Sequence, residues 1–115
     1  MNSDTPLDLP GARAQHVRAH TALVHVCEAA VDGLIAYAAE RGVKLSYAVD
    51  ASAEIGPDPG ALYWELRTLL EAAVGRTEPG GRAGIEVVSG PDANLVSTAW
   101  TRPPRASSNP APCAA

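Results

Sequence analysis

The chain has few aromatic residues: they make up 4% of its 115 residues, and phenylalanine is absent. A core built from Leu, Val, Ile and Ala buries less area per side chain than a core with many aromatic rings. The hydrophobic fraction of 46% and the charged fraction of 19% are those of an ordinary globular protein. These values predict one small domain with a thin core.

Clusters of Lys and Arg are also missing from the sequence, and the formal net charge is −4. A nucleic-acid-binding protein usually concentrates basic residues. The longest apolar stretch, residues 29–39, is interrupted by Asp32 and Gly33, which excludes a transmembrane helix on sequence grounds. The first residues have neither the basic nor the apolar region of a signal peptide. We therefore expect a cytoplasmic protein that binds neither nucleic acid nor a membrane.

Cysteine is scarce as well, since the chain has only Cys27 and Cys113. Cys27 falls in an apolar helical pattern and Cys113 in a proline-rich stretch, which does not make a disulfide framework. His16 and His20 could share a helix face as metal ligands, but no third ligand stands at a recognisable spacing. The sequence predicts no metal site and no cofactor.

Composition divides the chain into three parts. Residues 1–14 are predicted to be a flexible N-terminal arm, residues 15–101 the folded domain, and residues 102–115 a disordered tail rich in Pro and Ala. Within the domain, residues 16–20 are compatible with a short strand. The apolar spacing from Leu23 onward predicts a helix.

This first helix is expected to have Thr21 as its N-cap and to stop at Gly42. Residues 43–49 alternate apolar and polar side chains, as a half-buried strand does. Asp58 and Pro59 then predict the start of a second helix. Gly75 is predicted to end it.

A turn over residues 78–81 leads into a hairpin whose loop is residues 90–94 and whose second strand, near residues 95–100, is an exposed edge. The predicted fold class is α/β (α+β): a two-layer sandwich with a mixed sheet and two main helices on one face.

The order of these segments, over about residues 17–100, resembles the ATPase domain of sensor histidine kinases, which has the GHKL or Bergerat-type fold. Four stretches carry the resemblance: A-A-E-R-G-V-K-L over 38–45, D-P-G-A-L over 58–62, L-L-E-A-A-V over 69–74 and T-E-P-G-G-R over 77–82. The family patterns that they match are "AxxKGV", "D-P-x-x-L", "N-L-L-x-N-A" and "T-P-x-G-G". The resemblance implies a Bergerat-like arrangement of the sandwich.

The same resemblance implies that the ATPase chemistry is lost. In the family, the second asparagine of "N-L-L-x-N-A" holds the magnesium ion that bridges the ATP phosphates. Ala72 stands there, and its methyl group offers no oxygen ligand. Thr68 replaces the first asparagine, Glu71 is the acidic neighbour of the altered position, and Thr77 opens the glycine turn. We regard these four residues as vestigial nucleotide-site positions.

The family's glycine box "D-x-G-x-G" should follow the hairpin, but residues 99–105 read A-W-T-R-P-P-R. The ATP lid and the later glycine boxes are not found either. We therefore predict a pseudo-ATPase with no catalytic residues and no kinase activity.

Trp64 and Trp100 are the only tryptophans. Each is either an anchor for a protein partner or a cover for the edge of a thin core, and both readings stay open. The leading hypothesis is a non-catalytic, histidine-kinase-like protein-interaction or regulatory module in two-component signalling, whose partner is a signalling kinase or a response regulator.

Three alternatives remain. The first is a histidine phosphotransfer protein that uses His16, His20 or His25. The second is a residual nucleotide-binding fragment of a sensor kinase. The third is a small structural partner that forms homo-oligomers through its open sheet edge.

Overall fold

The computed structural model describes residues 10–104. The elements are α1 (Pro10–Glu40), β1 (Lys44–Val49), α2 (Pro59–Arg76), β2 (Arg82–Ser89), a 3₁₀ turn (Pro91–Ala93) and β3 (Leu95–Arg102). The strands lie in the order β1-β2-β3, with β1 parallel and β3 antiparallel to β2. The predicted α+β class with a mixed sheet is confirmed, and the predicted edge strand is β3.

Both helices pack on one face of the sheet and share a single core with it. Each element contributes side chains at its own period, three to four residues in a helix and two in a strand. The buried set is Leu23, Cys27, Ala30, Leu34 and Ala38 from α1, Leu66, Leu70, Ala73 and Val74 from α2, and Ala83, Ile85 and Val87 from β2. The core is aliphatic, as the lack of aromatic residues implied.

The first helix is much longer than predicted. It begins at Pro10, so the short strand over residues 16–20 and the N-cap at Thr21 are wrong. Ala, Arg and Gln in this stretch are strong helix formers, and that propensity outweighs the weak alternation of residues 16–20. Residues 10–14 of the predicted arm belong to this helix. Residues 1–9 and 105–115 lie outside the described residues, so the rest of the arm and most of the tail stay predictions.

The loop after β1 holds the N-terminal half of α1. The Ile55 amide donates to the Ala19 carbonyl at 3.2 Å, and the His20 Nδ1–H donates to the Ala53 carbonyl at 2.9 Å. Ala53 is itself fully buried. The loop therefore extends the core beyond the end of the sheet.

Within the described residues, one segment, Arg13–Glu40 of α1, is long and apolar enough to cross a membrane by length and composition. The exclusion drawn from Asp32 and Gly33 was therefore too strong, because two interruptions do not offset the many Ala and Val residues around them. A buried core helix passes the same test, and α1 supplies five core side chains. The length and composition of α1 therefore do not establish where the protein is located, and the cytoplasmic location stays a prediction.

The second helix starts as predicted. Asp58 is its N-cap, the Ala61 amide donates to Asp58 Oδ1 at 3.0 Å, and Pro59 opens the first turn. The helix continues past Gly75 to Arg76 because Thr77 closes its end. The Thr77 hydroxyl donates to the Ala73 carbonyl at 2.7 Å.

A junction of turns aligns β1 with β2. Gly42 and Gly80 have φ values of +71° and +90°, which favour glycine. The Gly80 amide donates to the Gly42 carbonyl at 2.7 Å, and the Lys44 amide donates to the Gly81 carbonyl at 3.1 Å. The Arg41 guanidinium reaches the carbonyls at the end of α2, at 3.1 Å from Gly75 O. The two turns and the two helix ends are thus joined at one place.

The Asp58 cap gives a test of this helix start. We expect Asp58→Ala to lower the free energy of unfolding by about 1 kcal/mol, because an amide of the first turn loses its acceptor. Chemical denaturation measures the change. Asp32→Ala is the control: Asp32 is exposed on α1, and its loss should change stability by less than about 0.5 kcal/mol. Equal losses in the two variants would contradict the capping role.

Candidate interaction site

The outer face of α2 carries three of the four residues predicted to be vestigial nucleotide-site positions. Thr68, Glu71 and Ala72 are all exposed, on the side of the helix turned away from Leu66 and Leu70. Positions four residues apart share a helix face, so Trp64 belongs to the same surface as Thr68 and Ala72. We call the exposed residues Trp64, Thr68, Glu71, Ala72 and Gly75 the α2 surface.

Trp64 dominates the α2 surface, because 61% of its area is exposed. Its indole meets the ring of Tyr63 edge to face, with 5.2 Å between centroids, and the Arg67 guanidinium carbon lies 5.5 Å from the indole centroid. Arg67 also donates to the Tyr63 hydroxyl at 3.0 Å. A large exposed ring is therefore held in place by two neighbours.

The neighbours are themselves fixed by the contact between helices. A Cβ at Gly33 of α1 would lie 3.2 Å from the Tyr63 hydroxyl and from an Arg67 nitrogen. The close approach of the two side chains to the α1 backbone therefore depends on this glycine. Gly33 thus leaves room for the two side chains that contact Trp64.

Thr77, the fourth of the predicted vestigial positions, does not belong to this surface. It is 4% exposed, and its hydroxyl is used to close α2. Gly81 follows in the same motif, and a Cβ there would lie 2.5 Å from the Arg102 carbonyl oxygen. In this chain the T-E-P-G-G-R stretch has a structural role.

The other tryptophan lies on the sheet face that the helices leave open. Trp100 is half-buried, and its ring lies over Gly84: a Cβ at Gly84 would stand 2.3 Å from the ring carbon Cζ2. The guanidinium carbon of Arg102 is 5.0 Å from the indole centroid. Trp100 thus covers the middle of the sheet, while Trp64 projects from its helix.

Three basic residues that are far apart in the sequence meet on this open face. Lys44 pairs with Arg82 in the parallel ladder, and Arg82 pairs with Arg102 in the antiparallel ladder. Partners in register point to the same face, so one exposed cation from each strand stands in a row. Together with Gly80 and Pro103 this basic row lines a depression of about 520 Å³. No sequence window reveals the row, because it exists only once the strand register is known.

The three histidines all lie on α1. The Nδ1 atom of His16 contacts a carboxylate oxygen of Glu54, and His20 binds the Ala53 carbonyl. Their rings stack with 6.1 Å between centroids, whereas His25 is exposed. In the described part of the chain, no group of three His, Cys, Asp or Glu side chains could hold a metal ion. His16 and His20 hold the loop after β1.

Two further groups have shifted pKa values. Burial raises the pKa of the Cys27 thiol to about 11, and the nearby Glu28 charge adds to the effect. A thiol of this kind stays protonated and is a poor nucleophile. The Ser52 hydroxyl donates to Asp50 and lowers the pKa of that carboxyl.

In comparisons with known proteins, no family model matches the chain, and no curated protein and no solved structure matches it.

The contact between Gly84 and Trp100 predicts a large effect of a single methyl group. We expect Gly84→Ala to destabilise the protein by about 1–3 kcal/mol, because the ring must leave the sheet or the strand must shift. The emission of Trp100, read in a Trp64→Phe background, should move to longer wavelength as the ring becomes more exposed.

Gly60→Ala is the matched control. Gly60 lies in the first turn of α2, and a Cβ there meets only Asp58 Oδ1, at 3.7 Å. Alanine is the better helix former, so this variant should be neutral or more stable by up to about 1 kcal/mol. Similar losses in both variants would contradict the packing of Trp100 on Gly84.

The contact between His16 and Glu54 predicts a pH dependence. The hydrogen bond between His16 and Glu54 raises the pKa of His16 above the usual 6.5. Because the pKa of His16 is higher in the folded than in the unfolded protein, the contact contributes its full stability below pH 6.5. This contribution is lost as the pH rises through the pKa of His16 in the folded protein. NMR titration should show His16 titrating above 6.5, with Glu54→Gln shifting its midpoint down. A midpoint that does not respond to Glu54→Gln would contradict the contact.

Proposed function

We propose that the chain is a non-catalytic, histidine-kinase-like protein of the ATPase fold that acts as a protein-interaction module in signal transduction. One observation carries the proposal. The helix face that bears Thr68 and Ala72, at the family's two asparagine positions, also bears the exposed and braced Trp64.

The order of elements supports the kinship. Helix, strand, capped helix, glycine turn and hairpin follow one another as in the family that the sequence resembles. The Asp58 cap and the turn at Gly80 have the roles expected of their motifs. We take the sheet to be the first part of a Bergerat-like arrangement.

The side chains of the α2 surface support the loss of nucleotide chemistry. Magnesium requires several oxygen ligands in an octahedral arrangement. Ala72 stands at the position of the asparagine that holds magnesium in the family, and its methyl group cannot be a ligand. Residues 99–102 continue β3 with A-W-T-R in place of a glycine box.

The same side chains suit a protein partner. A tryptophan that is already held by Tyr63 and Arg67 loses little conformational freedom when it is buried by a partner. Ala72 and Gly75, about two to three turns further along the same helix side, are small, so a partner backbone can approach the helix closely there. Buried tryptophans are among the residues that most often dominate binding energy. We infer that the partner is a histidine kinase or a response regulator in the cytoplasm.

Calorimetric titration with Mg-ATP tests the non-catalytic half of the proposal. We expect no heat of binding, because Ala72 stands at the position of the asparagine that holds magnesium in the family. Binding in the micromolar range that disappears when magnesium is removed would contradict the proposal and favour a residual nucleotide-binding fragment.

Co-purification with kinases and response regulators of the source cell, followed by direct affinity measurement, tests the other half. Trp64→Ala should weaken binding at least about 30-fold, as expected for a residue worth about 2 kcal/mol. Ile35→Ala is the matched control, because it removes another exposed apolar side chain, on α1. Equal affinities of the two variants would place the interface elsewhere.

A further inference from the structure

The open face of the sheet has an uneven distribution of charge. Lys44, Arg82 and Arg102 stand side by side in a chain whose net charge is −4. None of the three has an ion pair with a carboxylate in the described part of the chain. Glu86 is the acidic residue on the same strand face, and the row of Gly84 and Trp100 separates it from the basic row.

Like charges at directly paired positions destabilise a sheet. The basic row therefore raises the free energy of the unliganded protein, and an anion that binds across it relieves the repulsion. The positive potential of three unpaired cations also accelerates the encounter with such an anion. The row consequently favours an anionic occupant.

The dimensions of the row favour an occupant larger than a single phosphate. Neighbouring strands are about 5 Å apart, so the row extends over about 10 Å. The depression of about 520 Å³ at this place has room for several side chains. Two or three carboxylates from neighbouring residues of one peptide match this spacing.

The surroundings of the row favour a peptide over a nucleic acid. Proteins that bind single strands usually stack successive bases on several aromatic rings. On this face the described residues provide one such ring, Trp100, and Arg102 already lies against it. That contact holds the planar guanidinium in place, as bidentate binding of a carboxylate requires.

We propose that the open face of the sheet binds an acidic segment of a partner protein, whose carboxylates pair with Lys44, Arg82 and Arg102. This inference rests on the proposed function in taking the partner to be a protein, but it uses a different surface from Trp64. The partner segment is extended or helical and has acidic residues close together. It lies across the strands beside Trp100.

Titration of the full chain with a fluorescein-labelled oligo-glutamate peptide at low ionic strength tests the proposal. We expect saturable binding by anisotropy that weakens with added salt. Lys44→Gln with Arg82→Gln should weaken it about tenfold, and Arg82→Gln with Arg102→Gln likewise. The first pair leaves the contact of Arg102 with Trp100 intact, so a loss there cannot come from a displaced ring.

Arg18→Gln with Arg76→Gln is the matched control. It removes the same charge from exposed positions on the two helices and should leave the affinity unchanged. Thermal melts should show that the variants of the basic row fold at least as stably as the unmodified chain, because they remove repulsion. Equal weakening in the control pair would show attraction by overall charge alone and would overturn the proposal.

Two competing probes complete the test. Inorganic phosphate or a single-stranded oligo-thymidylate that binds the basic row more tightly than the peptide would overturn the assignment to an acidic protein segment. Absence of peptide binding at low ionic strength would overturn it as well. Trp64→Ala and the Mg-ATP titration report on the α2 surface, so failure there is distinguishable from failure here.

Discussion

The structure depends on the junction where the turn after α1 meets the turn after α2. The hydrogen bond of 2.7 Å between the Gly80 amide and the Gly42 carbonyl brings the two turns together, and the bond from Lys44 to Gly81 starts the parallel ladder. Arg41 ties the end of α1 to the last carbonyls of α2 at the same place. Once this junction is formed, the register of β1 and β2 is determined. Lys44 must then stand beside Arg82. The basic row is thus a direct consequence of how two glycine turns meet.

The packing of both helices on one sheet face divides the protein into two unlike surfaces. The helix side presents the α2 surface, where the exposed Trp64 ring lies against Tyr63 and Arg67. The open sheet face presents cations around a ring that is already packed against Gly84. The first surface suits an apolar contact with a partner and the second an electrostatic one. A protein that uses both surfaces would bind a partner from two sides or connect two partners.

Local signals in the sequence predicted the elements that they control, and long-range contacts account for what was missed. The cap at Asp58, the stop at Gly42 and the turn before β2 depend on residues next to one another, so they were predicted correctly. The N-terminal half of α1 was missed because the helix propensity of its Ala, Arg and Gln residues was given too little weight and its contact with the loop around Ala53 is long-range. Of the two tryptophans singled out by their rarity, Trp64 is exposed and Trp100 is half-buried, and the interaction role of either stays a prediction. The basic row was invisible, since its members are brought together only by strand pairing.

The side chains of the open sheet face indicate which kind of partner can cover it. Parallel strands are usually covered on both faces by apolar layers, and such strands are hydrophobic on both sides. Here the open side of β1 and β2 carries Lys44, Ser46, Arg82 and Glu86, and an apolar pair, Val88 with Val96 of β3, lies at the end of the face away from the basic row. The one large apolar side chain in the middle of that face, Trp100, is accommodated by a glycine beneath it. A covering hydrophobic layer would require apolar side chains along the whole face, so the charged end at Lys44, Arg82 and Arg102 fits a soluble, charged partner better.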